Sequence, residues 1–134
     1  MLYIYPACFY KETDGRYSVI FPDLNHLATQ GDSFDKAFAM AIDCLAGYIF
    51  EAKMSKEELP PPSDISEVNP DAEYDGYAEV IVNLVAVDAD EYAKTHFEIP
   101  VKKTLTIPKW LNDAATAKKI NFSQTLQEAL LQKI

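Results

Sequence analysis

VKKTLTIPKWLNDAATAKKINFSQTLQEALLQKI, residues Val101 to Ile134, changes its hydrophobic period twice. Lys102-Lys103-Thr104-Leu105-Thr106-Ile107 alternates polar and apolar, the period of a strand. Leu105 and Ile107 fall on one side, and Lys102, Thr104 and Thr106 on the other. Pro108 stops the strand. Trp110, Leu111, Ala114 and Ala115 then recur at helical spacing, and a polar break follows at Lys118-Lys119-Ile120-Asn121. Ser123 is placed to cap a second helix carrying Leu126, Ala129, Leu130 and Ile134. A stretch this short, with one strand and two amphipathic helices, cannot pair the strand's backbone groups or bury both helix faces by itself. A homodimer, or a higher oligomer, resolves the problem. Two copies would pair their strands as an antiparallel ribbon over a shared core of Leu105, Ile107, Trp110, Leu111, Leu126 and Leu130.

Strand, helix and helix in that order resemble the ribbon-helix-helix family, and the resemblance spans residues 101–134. It implies operator DNA as a partner. A two-stranded ribbon fits the major groove, with Lys102, Thr104 and Thr106 of each copy directed at base edges. Lys103 and Lys109 would add backbone contacts. The amino-terminal end of the second helix, at Ser123 and Gln124, would offer amides and a partial positive charge to a phosphate. The plainer alternative for Lys-Thr-Leu-Thr-Ile is a half-solvated edge strand with no ligand.

Charge separates this tail from the remainder. The whole chain of 134 residues carries a formal net charge of −9, which taken as one number argues against a nucleic-acid binder. Residues 1–100 hold 6 Lys or Arg against 19 Asp or Glu, whereas residues 101–134 hold 6 against 2. The chain is therefore an acidic body followed by a basic tail, an asymmetry that points to a nucleic-acid-binding end. No apolar run approaches the roughly 20 residues of a membrane span. Met1 to Tyr10 has no basic residue ahead of its apolar stretch and does not read as a signal peptide, so a cytoplasmic protein without a membrane partner is expected. Cys8 and Cys44 lack metal-ligand spacing and read as small core residues.

In the body, Leu2 to Tyr10 is a strand that stops at Lys11-Glu12-Thr13-Asp14-Gly15, a hairpin signal. Arg16 to Phe21 resumes as a second strand, closed by Pro22-Asp23, and a short extended piece around Ala28 to Gln30 completes a meander. Ser33 can cap a helix whose Phe34, Ala37, Phe38, Ala41, Ile42, Leu45 and Ile49 share one face. It must end before Leu59-Pro60-Pro61-Pro62. Ser63 to Asp75 reads as an acidic loop, and Ala78 to Val87 as a central strand buried on both faces. Asp90 to Thr95 reads as a connector or one helical turn. The fold class is α+β: a β-β-β-α-β unit over residues 1–95, a linker at 96–100 and the tail at 101–134. The first strand is apolar on both sides, so a second helix, a second copy or a partner protein must cover the face its helix leaves open.

Tyr10 to Leu24, containing Phe21-Pro22-Asp23-Leu24, then Thr29-Gln30-Gly31-Asp32-Ser33 and an alanine-rich helix, resemble the HicB antitoxin family from about Met1 to Val87. The family commonly continues Pro-Gly after Phe-Pro-Asp-Leu, where this chain has Asn25-His26. The resemblance implies a partial RNase H-like fold without catalysis, and as partner a HicA-type toxin, a small RNA-cleaving protein. It implies neutralisation of that toxin and repression of the operon by the dimeric tail. Tyr3, Tyr5, Phe9, Phe21, Pro22, Asp23 and Leu24 are the expected toxin-facing residues.

Two other readings are weighed. A metal-dependent nuclease would gather Asp14, Asp23 and Asp32 as ligands. Each of these already has a local explanation, in a hairpin, after a proline turn and before a helix cap. His26 and His96 are isolated from any nucleophile, so no catalytic residue, metal or cofactor is expected. The third reading is a ribbon-helix-helix regulator whose body senses a small ligand.

Overall fold

Ten residues of β1 (Leu2–Lys11) carry the sheet, because both of its edges are paired. The computed structural model describes residues 1–97 and 100–134, so the expected linker at 96–100 lies partly outside the described residues. Beside β1 run β2 (Tyr17–Phe21), then β3 (Leu27–Gly31), and on its other edge β4 (Glu79–Asp88). All neighbours are antiparallel and the strand order is β3-β2-β1-β4. The β1–β2 hairpin closes where Gly15 takes a φ of 91°, a region open to glycine without a Cβ clash. Asp14 tightens it by accepting from the Arg16 amide at 3.0 Å and its Nε at 2.9 Å. Pro6 lacks a donor, and it stands beyond the last β1 position paired to β2, Cys8 opposite Ile20.

α1 (Phe34–Met54) lies on one face. Ser33 caps it, its hydroxyl accepting from the Lys36 amide at 3.3 Å, and its buried face is Ala37, Ala41, Leu45, Ala46, Ile49 and Ala52. The small residues in that row let the helix approach the sheet closely. At Gly31 a Cβ would stand 2.3 Å from the Ala37 nitrogen. Odd-numbered β1 residues face the helix, so Tyr5, Ala7 and Phe9 join Val19, Phe21, Leu24, Val85 and Val87 in the core.

The segment after α1 is more than a loop. It holds a 3-10 turn (Ile65–Glu67) and a short α2 (Pro70–Glu73), and it runs back over the other face of the sheet. The Tyr10 hydroxyl donates to the Pro70 carbonyl at 2.6 Å, and Tyr74 and Tyr77 pack on the Tyr10 ring. β4 departs from expectation: it is an edge strand and not a central one. Its apolar run matches two-sided burial in composition, but only Val85 and Val87 are buried, while Ile81 and Leu84 are exposed. Residues 90–95, expected as a connector or single turn, belong to a two-turn helix, α3 (Ala89–His96), capped by Asp88. Tyr92 on α3 donates to Asp43 of α1 at 2.8 Å.

The chain divides into two compact units, Met1–Ile99 and Pro100–Ile134. The second contains α4 (Lys109–Ala117) and α5 (Phe122–Lys133). Among the described residues, no helix is long and apolar enough to cross a membrane.

Candidate functional site

In the second unit, residues 101–108 form no strand within this chain. An extended segment becomes a strand only through hydrogen bonds to a neighbour, and one copy supplies none. Lys102, Lys103, Thr104 and Thr106 are all exposed along it, and so are Leu105 and Ile107. Pro108 begins α4, its carbonyl accepting from the Leu111 and Asn112 amides at 3.1 Å. Trp110 is 71% exposed and Leu111 and Leu130 are exposed as well. No described residue of this unit is buried, and only Ala115 and Leu126 are even half-buried. A fold with two helices and no interior cannot offset its conformational entropy by itself.

The two helices turn at Lys119, which takes a φ of 58°. That turn sets the cap of the second helix two residues earlier than Ser123. The cap is Asn121, whose side chain accepts from the Gln124 amide at 3.0 Å. Ser123 sits inside the first turn and Gln124 has its amide committed to that cap. Asparagine and serine cap about equally well, so local preference alone does not separate them.

In the first unit the expected partner residues fall mostly on the helix side. Phe9, Phe21 and Leu24 are fully enclosed by the unit's own core, and Tyr5 is nearly so. They shape the scaffold and offer no surface to a partner. Tyr5 donates its hydroxyl to the Pro60 carbonyl at 2.6 Å. Tyr3 is half-buried with the Lys53 ammonium 5.2 Å from its ring centroid. Pro22 and Asp23 are half-buried in the β2–β3 turn, where Asn25 and His26 both take left-handed backbone angles. Asparagine and histidine are among the non-glycine residues that adopt that region most readily. The turn is held from outside: Asp23 accepts from the Ser63 amide at 2.7 Å and from its hydroxyl at 2.6 Å, and His26 pairs with Glu73.

Two of the three aspartates of the nuclease reading are separately engaged. Asp14 is bound to Arg16, which holds its carboxyl below the usual value, and Asp23 is bound to Ser63. Asp32 is exposed ahead of the Ser33 cap. Burial raises the Cys8 thiol and the Tyr10 phenol above their ordinary values, so both groups stay protonated and act as packing.

The face opposite α1 divides in two. Around Tyr10 and Cys8 it is covered by residues of the segment after α1, while Leu2, Ile4 and Leu84 beyond it are bare. The apolar character of both parities of β1 is visible in the sequence. Which parity α1 covers is not.

A family model described as HicB-like antitoxin of bacterial toxin-antitoxin system matches residues 5–130. Among solved structures, a chain of a toxin-antitoxin complex from Streptococcus pneumoniae is 37% identical, with a TM-score of 0.62 and 100% of both chains covered. The antitoxin HicB of Burkholderia pseudomallei shares the fold at 19% identity and a TM-score of 0.52, over 98% of each chain. No curated protein matches the chain.

Proposed function

The chain belongs to the HicB-like antitoxin family of bacterial toxin-antitoxin systems, and on that premise we propose that it neutralises a small toxin through its first unit and represses its own genes through its second. The observation that carries the second half is the absence of any buried described residue in the Pro100–Ile134 unit. Leu105, Ile107, Trp110, Leu111, Leu126 and Leu130 are then the interior of a dimer, closed when the 101–108 segments of two copies pair. Pairing leaves Lys102, Thr104 and Thr106 of both copies on the outer face of a ribbon, six side chains of a size and chemistry suited to base edges. Lys103 and the start of α5 at Ser123 supply phosphate contacts, the Gln124 amide being held by the Asn121 side chain. The acidic first unit has no such role: its charge repels a phosphate backbone and attracts a basic protein. No step here requires catalysis or a cofactor, and toxin neutralisation is steric.

The test is salt-dependent binding of the intact protein to DNA from upstream of its gene, beside a Lys102→Ala, Thr104→Ala, Thr106→Ala variant shown by sedimentation to keep its oligomeric state. Specific binding that the variant loses is the expected result. Binding that the variant keeps would reduce the second unit to a dimerisation device. For the first unit, coexpression with the product of the adjacent reading frame should give a stable complex. No complex at low salt would remove the antitoxin assignment.

A further inference from the structure

Half of the sheet's open face is left bare by the described residues of the first unit. Directly opposed residues of paired strands share a face, so Ile4 opposite Ala86 and Pro6 opposite Leu84 place even-numbered β1 and β4 residues together, away from α1. Leu2 is 58%, Ile4 41% and Leu84 45% exposed there, and the 3-10 turn that carries Ile65, 39% exposed, lies against β4. β4 is also the edge of the sheet, and its ten residues include no Pro, Lys or Arg. Natural edges of this length and apolarity are ordinarily blunted by such residues or covered.

The side-chain charge of the segment that borders this patch has one sign. From Glu57 to Ala93 the chain holds eleven Asp or Glu and no Lys or Arg. Asp64 and Glu67, on either side of Ile65, are exposed, and Asp88 shares the row of Leu2. The terminal amine of Met1 stands 3.4 Å from Asp88 and 3.8 Å from Asp90, which Lys53 also pairs. Asp64 and Asp88 each hold their carboxyl below the usual range by accepting backbone amides, at Ser66 and Glu91, so both are ionised at neutral pH.

Apolar patches rimmed by polar residues mark protein interfaces. The rim selects among occupants. A second copy docked about a two-fold axis would lay each acidic rim on its own counterpart. A nucleic acid would meet carboxylates with phosphates. We infer that the occupant is a protein whose contacting surface is basic around an apolar centre, and that this face, Leu2, Ile4, Ile65 and Leu84 within Asp64, Glu67 and Asp88, is where the toxin docks. This rests on the antitoxin reading and adds the location: the side of the sheet opposite the helix, at the end that the segment after α1 leaves open. Apolar contact at Leu84 and Ile4 sets the lifetime of the complex, and the carboxylates set its rate of formation.

The test takes the intact chain, its Leu84→Arg and Glu67→Lys variants, and the protein from the adjacent reading frame. It measures affinity and association rate, thermal unfolding of each variant alone, and the mass of each variant alone by sedimentation. Leu84→Arg is expected to weaken toxin binding at least tenfold, with unfolding and binding to upstream DNA unchanged, since its side chain stands half in solvent. Glu67→Lys, at an exposed position, is expected to slow association several-fold and to flatten its salt dependence. Parent binding that neither variant alters would overturn the inference and leave the antitoxin reading standing. A Leu84→Arg variant that binds toxin normally but falls to half the parent's mass would show a second copy on this face, which also overturns it. Failure of the parent to bind the toxin would remove the antitoxin reading and this inference together.

Discussion

Asp23→Ala separates two roles for one carboxylate. Sequence places Asp23 at a partner surface, while the fold has it accepting two hydrogen bonds from Ser63, 2.7 Å from the amide and 2.6 Å from the hydroxyl. Hydrogen bonds to a charged acceptor contribute about 1.5 to 3 kcal/mol each, and removing the acceptor also leaves a half-buried amide unpaired. The two bonds share one carboxylate and are not additive, so a loss of about 2 to 3 kcal/mol is expected for the first unit. For a unit of this size that lowers the melting temperature by on the order of 10 °C. The assay is thermal unfolding of the full chain followed by circular dichroism, with hydrogen exchange at the Ser63 amide as the local probe. Asp23→Asn keeps one acceptor oxygen and should fall between parent and alanine variant. A melting temperature within a few degrees of the parent, with the Ser63 amide equally protected, would refute the reasoning and return Asp23 to the partner surface.

Gly31→Ala places a Cβ 2.3 Å from the Ala37 nitrogen and 2.6 Å from its Cα, both backbone atoms that cannot swing aside. It should cost more than about 3 kcal/mol, read as a lowered urea midpoint or loss of soluble protein, and an unchanged midpoint would contradict the close approach of α1 to β3. Leu126→Asp puts a charge where the second unit needs an interior, so sedimentation should show a lone chain with reduced helical signal; an unchanged mass would place the subunit contact elsewhere. Burial is the main cause that raises both Tyr10 and Tyr92, the latter pushed up to about 12, and the Asp43 hydrogen bond adds to it at Tyr92. A raised folded value means that the stability these phenols contribute is complete below the unfolded value, about 10, and is lost as pH rises through the folded one. The urea midpoint should therefore fall between about pH 10 and about pH 12, while a flat midpoint across that window would show that these hydroxyls are solvated.

Local pattern carried much of this molecule. The β1–β2 hairpin follows from Asp14-Gly15, the start of α1 from Ser33, and its buried stripe from the spacing of Ala37, Ala41, Leu45 and Ile49, because each depends on backbone preference or on residues a turn apart; the prolines at 60–62 only bound its end, which falls at Met54 before the left-handed Lys56. The division between an acidic body and a basic tail is likewise a property of composition alone. Other features depend on partners distant in the chain. β1 is apolar on both parities, so only the docking of α1 assigns Tyr5 and Phe9 to the core and leaves Leu2 and Ile4 outside. Val80 to Val87 has the composition of a central strand, yet strand order is set by long-range pairing and makes β4 an edge. The 63–77 segment looks like a polar loop until Asp23, Tyr10 and His26 are seen to bind it down. Asn121 rather than Ser123 caps α5 because the left-handed turn at Lys119 fixes where the helix begins, a choice that two good capping residues so close together leave open in sequence.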